Sequence, residues 1–190
     1  CTASSTPDSD AYCLAVKKFQ VEIEGKMWFL EYDIKETNEK IIVATTRPET
    51  IFGDSAIAIN PDNKRLKDKI GKVALIPIIN KEIPIISDSY AEIDKGSGAV
   101  KITPAHDFND FKVGKKHNLK FIEIFDRKAS LNSNTPKNYQ GLNRFKAREK
   151  VILELKKIGR IKKEIKNKMI IPVGDRSGEV IEPMLTNQWF

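Results

Sequence analysis

Lys101, Thr103, His106, Asp107 and Asp110 fall within ten consecutive residues of the segment Gly96-Ser97-Gly98-Ala99-Val100-Lys101-Ile102-Thr103-Pro104-Ala105-His106-Asp107-Phe108-Asn109-Asp110-Phe111. So many polar groups beside one strand-to-helix junction are the pattern of a loop that presents chemistry from a rigid scaffold. A second group lies earlier, in Ala44-Thr45-Thr46-Arg47-Pro48-Glu49-Thr50. Arg47 offers a planar, permanently charged fork suited to a phosphate or a carboxylate. The hydroxyls of Thr45, Thr46 and Thr50 can donate or accept. The chain has two histidines and no acidic-histidine spacing, which argues against a metal site.

The elements that hold these groups follow from local pattern. Gly96 and Gly98 form a turn, and a short strand follows. In a strand, alternate residues share a face, so Val100 and Ile102 point into a core while Ala99, Lys101 and Thr103 point the other way. Pro104 cannot donate to a ladder and ends the strand. Asp107 is a good N-cap, with Asp110 at the third helical position as in a capping box. Lys101, Thr103 and Asp107 are therefore expected to converge at the strand's end. In the earlier segment Val43, Thr45 and Arg47 share a strand face, and Thr50 lies in the loop beyond. Blander readings stand beside these: Asp107 as a cap alone, His106 as a hydrogen-bonded structural residue, and Arg47 with Glu49 as a surface pair at a strand end.

The rest of the chain predicts mostly strands. Val21 and Ile23 are followed by Met27–Tyr32, with Gly25-Lys26 as a turn between them. Ile41–Thr46, Ser55–Ile59, Lys72–Ile79, Ile83–Ile86 and Phe121–Phe125 are further strands. Prolines inside Lys72–Ile79 and Ile83–Ile86 mark these two as edges or bulges. Residues 62–70 suggest one short helix, 107–117 a second, and Asn143 caps a third that runs to about Ile158. Phe145, Ile152 and Leu155 line its apolar side and Gly159 stops it. From Met169 the pattern alternates again. This is a mainly β protein, a β-barrel decorated with α-helices.

With 190 residues, 40% of them hydrophobic, the chain suits one domain with appendages. Lys and Arg number 33 against 26 Asp and Glu, a net charge of +7. That excess favours an anionic partner such as RNA, although Lys-rich helices also make solvated faces. Cys1 and Cys13 lie in one tail and make no disulfide framework, which fits a reducing compartment. No apolar run approaches the ~20 residues of a membrane span, and no signal-peptide pattern opens the chain. A cytoplasmic location and no membrane partner are the expectation. Residues 1–18 are atypical of the rest and are expected to be flexible.

Taken together, the two polar segments resemble the editing domain inserted into the valyl-, isoleucyl- and leucyl-tRNA synthetases, and the Lys-Ile-Thr-Pro-Ala-His-Asp-Phe-Asn-Asp wording most resembles the valyl form. The likeness extends through Ile51-Phe52-Gly53-Asp54 and Val113–Leu119. Gly174–Gly178 and Glu182–Phe190 resemble the segment by which the insertion returns to the synthetase body. The domain is thus expected over residues 19–190, with 169–190 as that return. Lys95 departs from some relatives, which carry an aromatic residue there. The chain has no His-Ile-Gly-His or Lys-Met-Ser-Lys-Ser element, so the ATP-dependent activation site is not expected in it.

The resemblance implies a function: hydrolysis of threonine wrongly esterified to valine tRNA, by an aminoacyl-tRNA deacylase domain that needs no cofactor or metal. It assigns Asp107 to the substrate α-ammonium group and Lys101, Thr103 and Asp110 to the polar side of the pocket. Thr45, Thr46, Arg47 and Thr50, with Gly98 and His106, are assigned to holding the RNA 3′ end and its ester. The partners implied are the tRNA end and the rest of the synthetase. Two other readings stay open: a module that binds the tRNA acceptor end without turnover, and an isoleucyl-type domain that clears Val-tRNA.

Overall fold

The computed structural model describes residues 20–174, 178 and 180–182; the expectations for residues 1–18, for the middle of Gly174–Gly178 and for residues 183–190 lie outside these. Strand β1 spans Gln20–Ile34, β2 Lys40–Thr45, β3 Ala56–Ile59, β4 Val73–Leu75, β5 Glu82–Ser87, β6 Ala99–Ile102 and β7 Ile161–Pro172. Helix α1 spans Phe108–Lys116 and α2 Arg144–Lys157. The strands form one sheet in the order β2-β1-β4-β5-β3-β6, with β7 also on β1. Only the β3–β5 pair among the described strands is parallel. The end strands β2 and β6 approach each other, so the sheet curls into a nearly closed barrel. The expected helix-decorated barrel is the fold observed. Among the described residues no helix is long and apolar enough to cross a membrane.

Alternation along the strands explains the packing. On β1, Leu30, Tyr32 and Ile34 are fully buried in the main core with Ile41 and Val43 of β2, Ile57 and Ile59 of β3, and Ile85 of β5. Each such side chain contributes roughly 1.5–3 kcal/mol. The other face of β3 carries Ala56 and Ala58, which join Ala91, Ile102 and Val113 in a smaller cluster under α1. Small residues there let the helix sit close. Gly114 does the same on the helix side, since a Cβ on it would lie 2.7 Å from Pro104. Val100 and Ile102 face this cluster, as alternation predicted.

Several expectations are corrected. Gly25-Lys26 is no turn, because β1 runs straight through it and pairs with β7 from Gln20 to Leu30. Gly25 instead allows close cover, since a Cβ there would meet the Met169 side chain at 2.3 Å. Strand β7 begins at Ile161, well before Met169, where the sequence alternation was expected to begin. β5 is not an edge, as it lies between β4 and β3. Its Pro84 pairs only with Val73, and pairing to β3 starts one residue later at Ile85, so the missing N–H breaks no ladder. Residues 62–70 hold only a 3₁₀ turn at Lys67–Lys69. Phe121–Phe125 is extended but unpaired except for a bridge from Phe125 to Leu131. Side chains take its backbone groups instead: Ile124 N–H donates to His106 Nε2, and Asn132 Nδ2 donates to Glu123 O. Asn143 does cap α2, accepting from Phe145 N at 3.0 Å. The buried face of α2, however, is Arg144, Ala147, Val151 and Leu155, while Phe145 is exposed.

Candidate active site

The start of α1 sets the first half of the site. Asp107 is its N-cap, and its Oδ1 accepts from Asn109 N at 2.8 Å and Asp110 N at 3.1 Å. Asp110 does not close a capping box. Its Oδ2 reaches past the cap and accepts from Thr103 N at 2.8 Å, pinning the helix to the end of β6. Asp110 is 7% exposed. Burial and the neighbouring Asp107 charge push its carboxyl up to about 7, against the lowering pull of the Thr103 N–H, Lys101 and the Tyr90 hydroxyl. Burial, then the charges of Asp110 and Asp107, drive the Tyr90 hydroxyl well above its ordinary range. A buried carboxyl raised in this way, beside a second acidic side chain and a buried lysine, is the arrangement expected of a functional site rather than of a solvated surface.

Beneath them lies an interior network. Lys101 Nζ donates to Thr103 Oγ1 at 2.6 Å, Asp54 Oδ1 at 2.7 Å and Thr50 Oγ1 at 2.8 Å. Thr103 Oγ1 donates to Asp54 Oδ1 at 2.9 Å, and Tyr32 OH donates to Asp54 Oδ2 at 2.7 Å. Asp54 is fully buried and Lys101 nearly so. A buried carboxylate and ammonium without each other would cost several kcal/mol each, so the pair and its hydroxyl partners form one unit.

The threonine-rich segment supplies the other wall. Residues Pro48–Gly53 form a wholly buried 3₁₀ turn that follows β2. Arg47 N donates to Thr45 Oγ1 at 3.1 Å, and Thr50 Oγ1 donates to Arg47 O at 2.9 Å. The Arg47 guanidinium donates to His106 O at 2.9 Å and to Glu182. Arg47 thereby joins the two segments that sequence alone could only place side by side. Glu49 is no surface residue: it is fully buried and takes a two-pronged contact from Arg148 at 2.8 and 2.6 Å. Arg144 Nη1 meets Glu182 at 2.9 Å, and the Arg148–Glu49 contact clamps α2 to the 3₁₀ turn. The His106 ring packs edge-on to Phe125, with centroids 5.0 Å apart, while its Nε2 accepts from Ile124 N. That is the role of a structural histidine.

Thr45, Thr46, Arg47, Thr50, Lys101, Thr103, His106, Asp107 and Asp110 all line one cavity of about 260 Å³. Gly98 does not line it. At φ +77° it forms the turn before β6, where a Cβ would lie 2.7 Å from Asn63 Nδ2. Met27, Ala44, Tyr90 and Val100 complete the lining and were missed from sequence. So was Asp54, which lies under the cavity. An Asp after Gly reads as a turn residue, and nothing local to Asp54 or Tyr90 signals a site. Among the described residues no cluster of three or more His, Cys, Asp or Glu is grouped to hold a metal ion.

Comparison with known proteins places these features in a family. The model of the leucyl-tRNA synthetase editing domain matches residues 65–145. The chain is 47% identical over 171 residues to the valine--tRNA ligase of Francisella tularensis subsp. tularensis, covering 90% of this chain and 19% of that protein. It is 50% identical over 173 residues to the valine--tRNA ligase of Pelagibacter ubique, covering 90% of this chain and 20% of that protein. The chain thus spans about a fifth of the length of these curated relatives. Among solved structures, the ternary complex of Agrobacterium radiobacter K84 agnB2 LeuRS with tRNA and LeuAMS aligns with a TM-score of 0.57. That match covers 85% of this chain and 22% of the other at 19% identity, a likeness of fold.

Proposed function

We propose that this chain, which belongs to the editing domains of the class I aminoacyl-tRNA synthetases, removes threonine from wrongly charged valine tRNA by hydrolysing the aminoacyl ester. The need for such a reaction is physical. An apolar pocket that selects valine rejects an isostere with one extra hydroxyl only about a hundredfold, a figure that comes from valyl enzymes themselves. A second site must therefore recognise that hydroxyl.

The observation that carries the proposal is the single cavity with exposed Asp107 beside buried Lys101, Thr103 and Asp110. Asp107 would hold the α-ammonium group through a charge-assisted hydrogen bond. Thr50, Thr103 and Asp110 would meet the side-chain hydroxyl. A valyl methyl at that point leaves buried polar groups unpaired, at about 1–3 kcal/mol for each. Thr45, Thr46 and Arg47 would hold the terminal nucleotide and its ester. The proposed nucleophile is an oriented water, with the neighbouring ribose hydroxyl and positioning supplying rate. The proposed reaction calls on no cofactor, and its partners are the tRNA 3′ end and the rest of the synthetase.

The test is deacylation of Thr-tRNA and Val-tRNA by the chain, assayed at equal concentration. Preferential loss of threonine supports the proposal, with discrimination of about tenfold or more from one stranded polar group. Faster loss of valine would indicate the isoleucyl-type activity instead. Binding of tRNA with neither ester cleaved would indicate a binding module.

A further inference from the structure

Lys101 reaches into the cavity wall, yet its hydrogen-bonding capacity is spent. An ammonium has three N–H donors, and those of Lys101 go to Thr50 Oγ1, Asp54 Oδ1 and Thr103 Oγ1. The hydroxyl hydrogens of both threonines are spent as well, that of Thr103 on Asp54 Oδ1 and that of Thr50 on Arg47 O. A hydroxyl oxygen has two lone pairs. One on each threonine takes Lys101, which leaves one acceptor site on each and no donor. The Asp54 carboxylate accepts from Lys101, Thr103 and Tyr32, while the branch from Lys101 through Thr50 ends on Arg47 O.

We propose that Asp54 is a positioning residue that fixes the direction of hydrogen bonding at Thr103, so that Thr103 faces the ligand as an acceptor, beside Thr50, whose hydrogen is held by Arg47 O. The inference rests on the reading of the chain as a threonyl-ester hydrolase and specifies how that site reads its substrate. The cavity takes a group that donates, such as the hydroxyl of a threonyl side chain. Lys101 acts through the two threonines rather than by touching the ligand. A valyl methyl cannot donate, so Asp54 contributes to discrimination without lining the cavity. Tyr32 holds the far oxygen of Asp54 and keeps the carboxylate plane fixed.

Asp54→Ala removes the acceptor of the Thr103 hydroxyl, which frees the Thr103 hydrogen to turn toward the ligand. The measurement is the ratio of kcat/KM for Thr-tRNA to that for Val-tRNA in Asp54→Ala. A ratio does not depend on the fraction of protein folded, so a merely structural role leaves it unchanged. The inference expects the ratio to fall about tenfold or more, through the Thr ester alone. Tyr32→Phe, which leaves the Oδ1 contacts in place, is expected to lower the melting temperature and keep the ratio. Should Asp54→Ala strand Lys101 and fail to fold, Asp54→Ala combined with Lys101→Gln removes both charges and is expected to lose the ratio too. A ratio retained in either Asp54 variant overturns the inference while leaving the proposed function standing. A wild-type chain that cleaves neither ester overturns both.

Discussion

Replacing Asp110 by Asn removes a buried charge while keeping an acceptor for the Thr103 N–H. In the fold Asp110 is 7% exposed, and burial with the Asp107 charge moves its carboxyl from 3.8 to about 7. In the unfolded chain it titrates near ~3.9. The folded state therefore keeps a proton that the unfolded chain has lost between about pH 4 and pH 7. This group's contribution is fully present below about pH 4, and stability is lost as pH rises toward about 7. Some three pH units at 1.36 kcal/mol each give about 4 kcal/mol over the whole window. Because Asp107 shares the field, that span belongs to the pair. Asn at 110 has no proton to lose. Urea unfolding of both proteins from about pH 4 to about pH 8 should show the variant gaining on the wild type by several kcal/mol across the window, then no further. A constant difference at all pH values would refute the reasoning and make Asp110 an ordinary helix-anchoring carboxylate.

Asp107→Ala should abolish Thr-tRNA deacylation while costing only about 1 kcal/mol of stability from the lost cap; full activity in a destabilised variant would reduce Asp107 to a cap. Arg47→Ala should weaken tRNA binding more than it slows hydrolysis and flatten the salt dependence of binding; unchanged affinity and slope would confine Arg47 to tying Glu182 to His106 O. Glu49→Ala leaves the partly buried Arg148 without its two-pronged partner and should cost about 1–3 kcal/mol in denaturant unfolding; an unshifted midpoint would contradict a structural role for that pair.

The strand-to-helix junction was legible because local rules fix it. Alternation sets Lys101 and Thr103 on one face, Pro104 stops the strand, and Asp107 caps the helix. The barrel was legible as many short strands with turn signals between them. Long-range pairing was not. Gly25 reads as a turn unless the partner strand β7 is known, and β7 itself alternates weakly because Lys163 and Asn167 interrupt its half-buried face of Ile161, Ile165, Met169 and Ile171. Phe121–Phe125 has a strand's composition, but its pairing is limited to the Phe125–Leu131 bridge, and the side chains of His106 and Asn132 take the Ile124 N–H and the Glu123 carbonyl. Arg47 and Glu49 read as a surface pair because Arg148 and Arg144 come from a helix far along the chain. Asp54 and Tyr90 were missed for the same reason: each matters only through what the fold brings to it.

The most direct measurement is a structure of the chain with a non-hydrolysable threonyl-adenosine analogue. The account predicts the ligand in the cavity between Thr45–Thr50 and Lys101–Asp110, its amine at the Asp107 carboxylate and its side-chain hydroxyl donating to Thr103 or Thr50. A ligand bound elsewhere, or seated there with its amine turned away from Asp107, would contradict it.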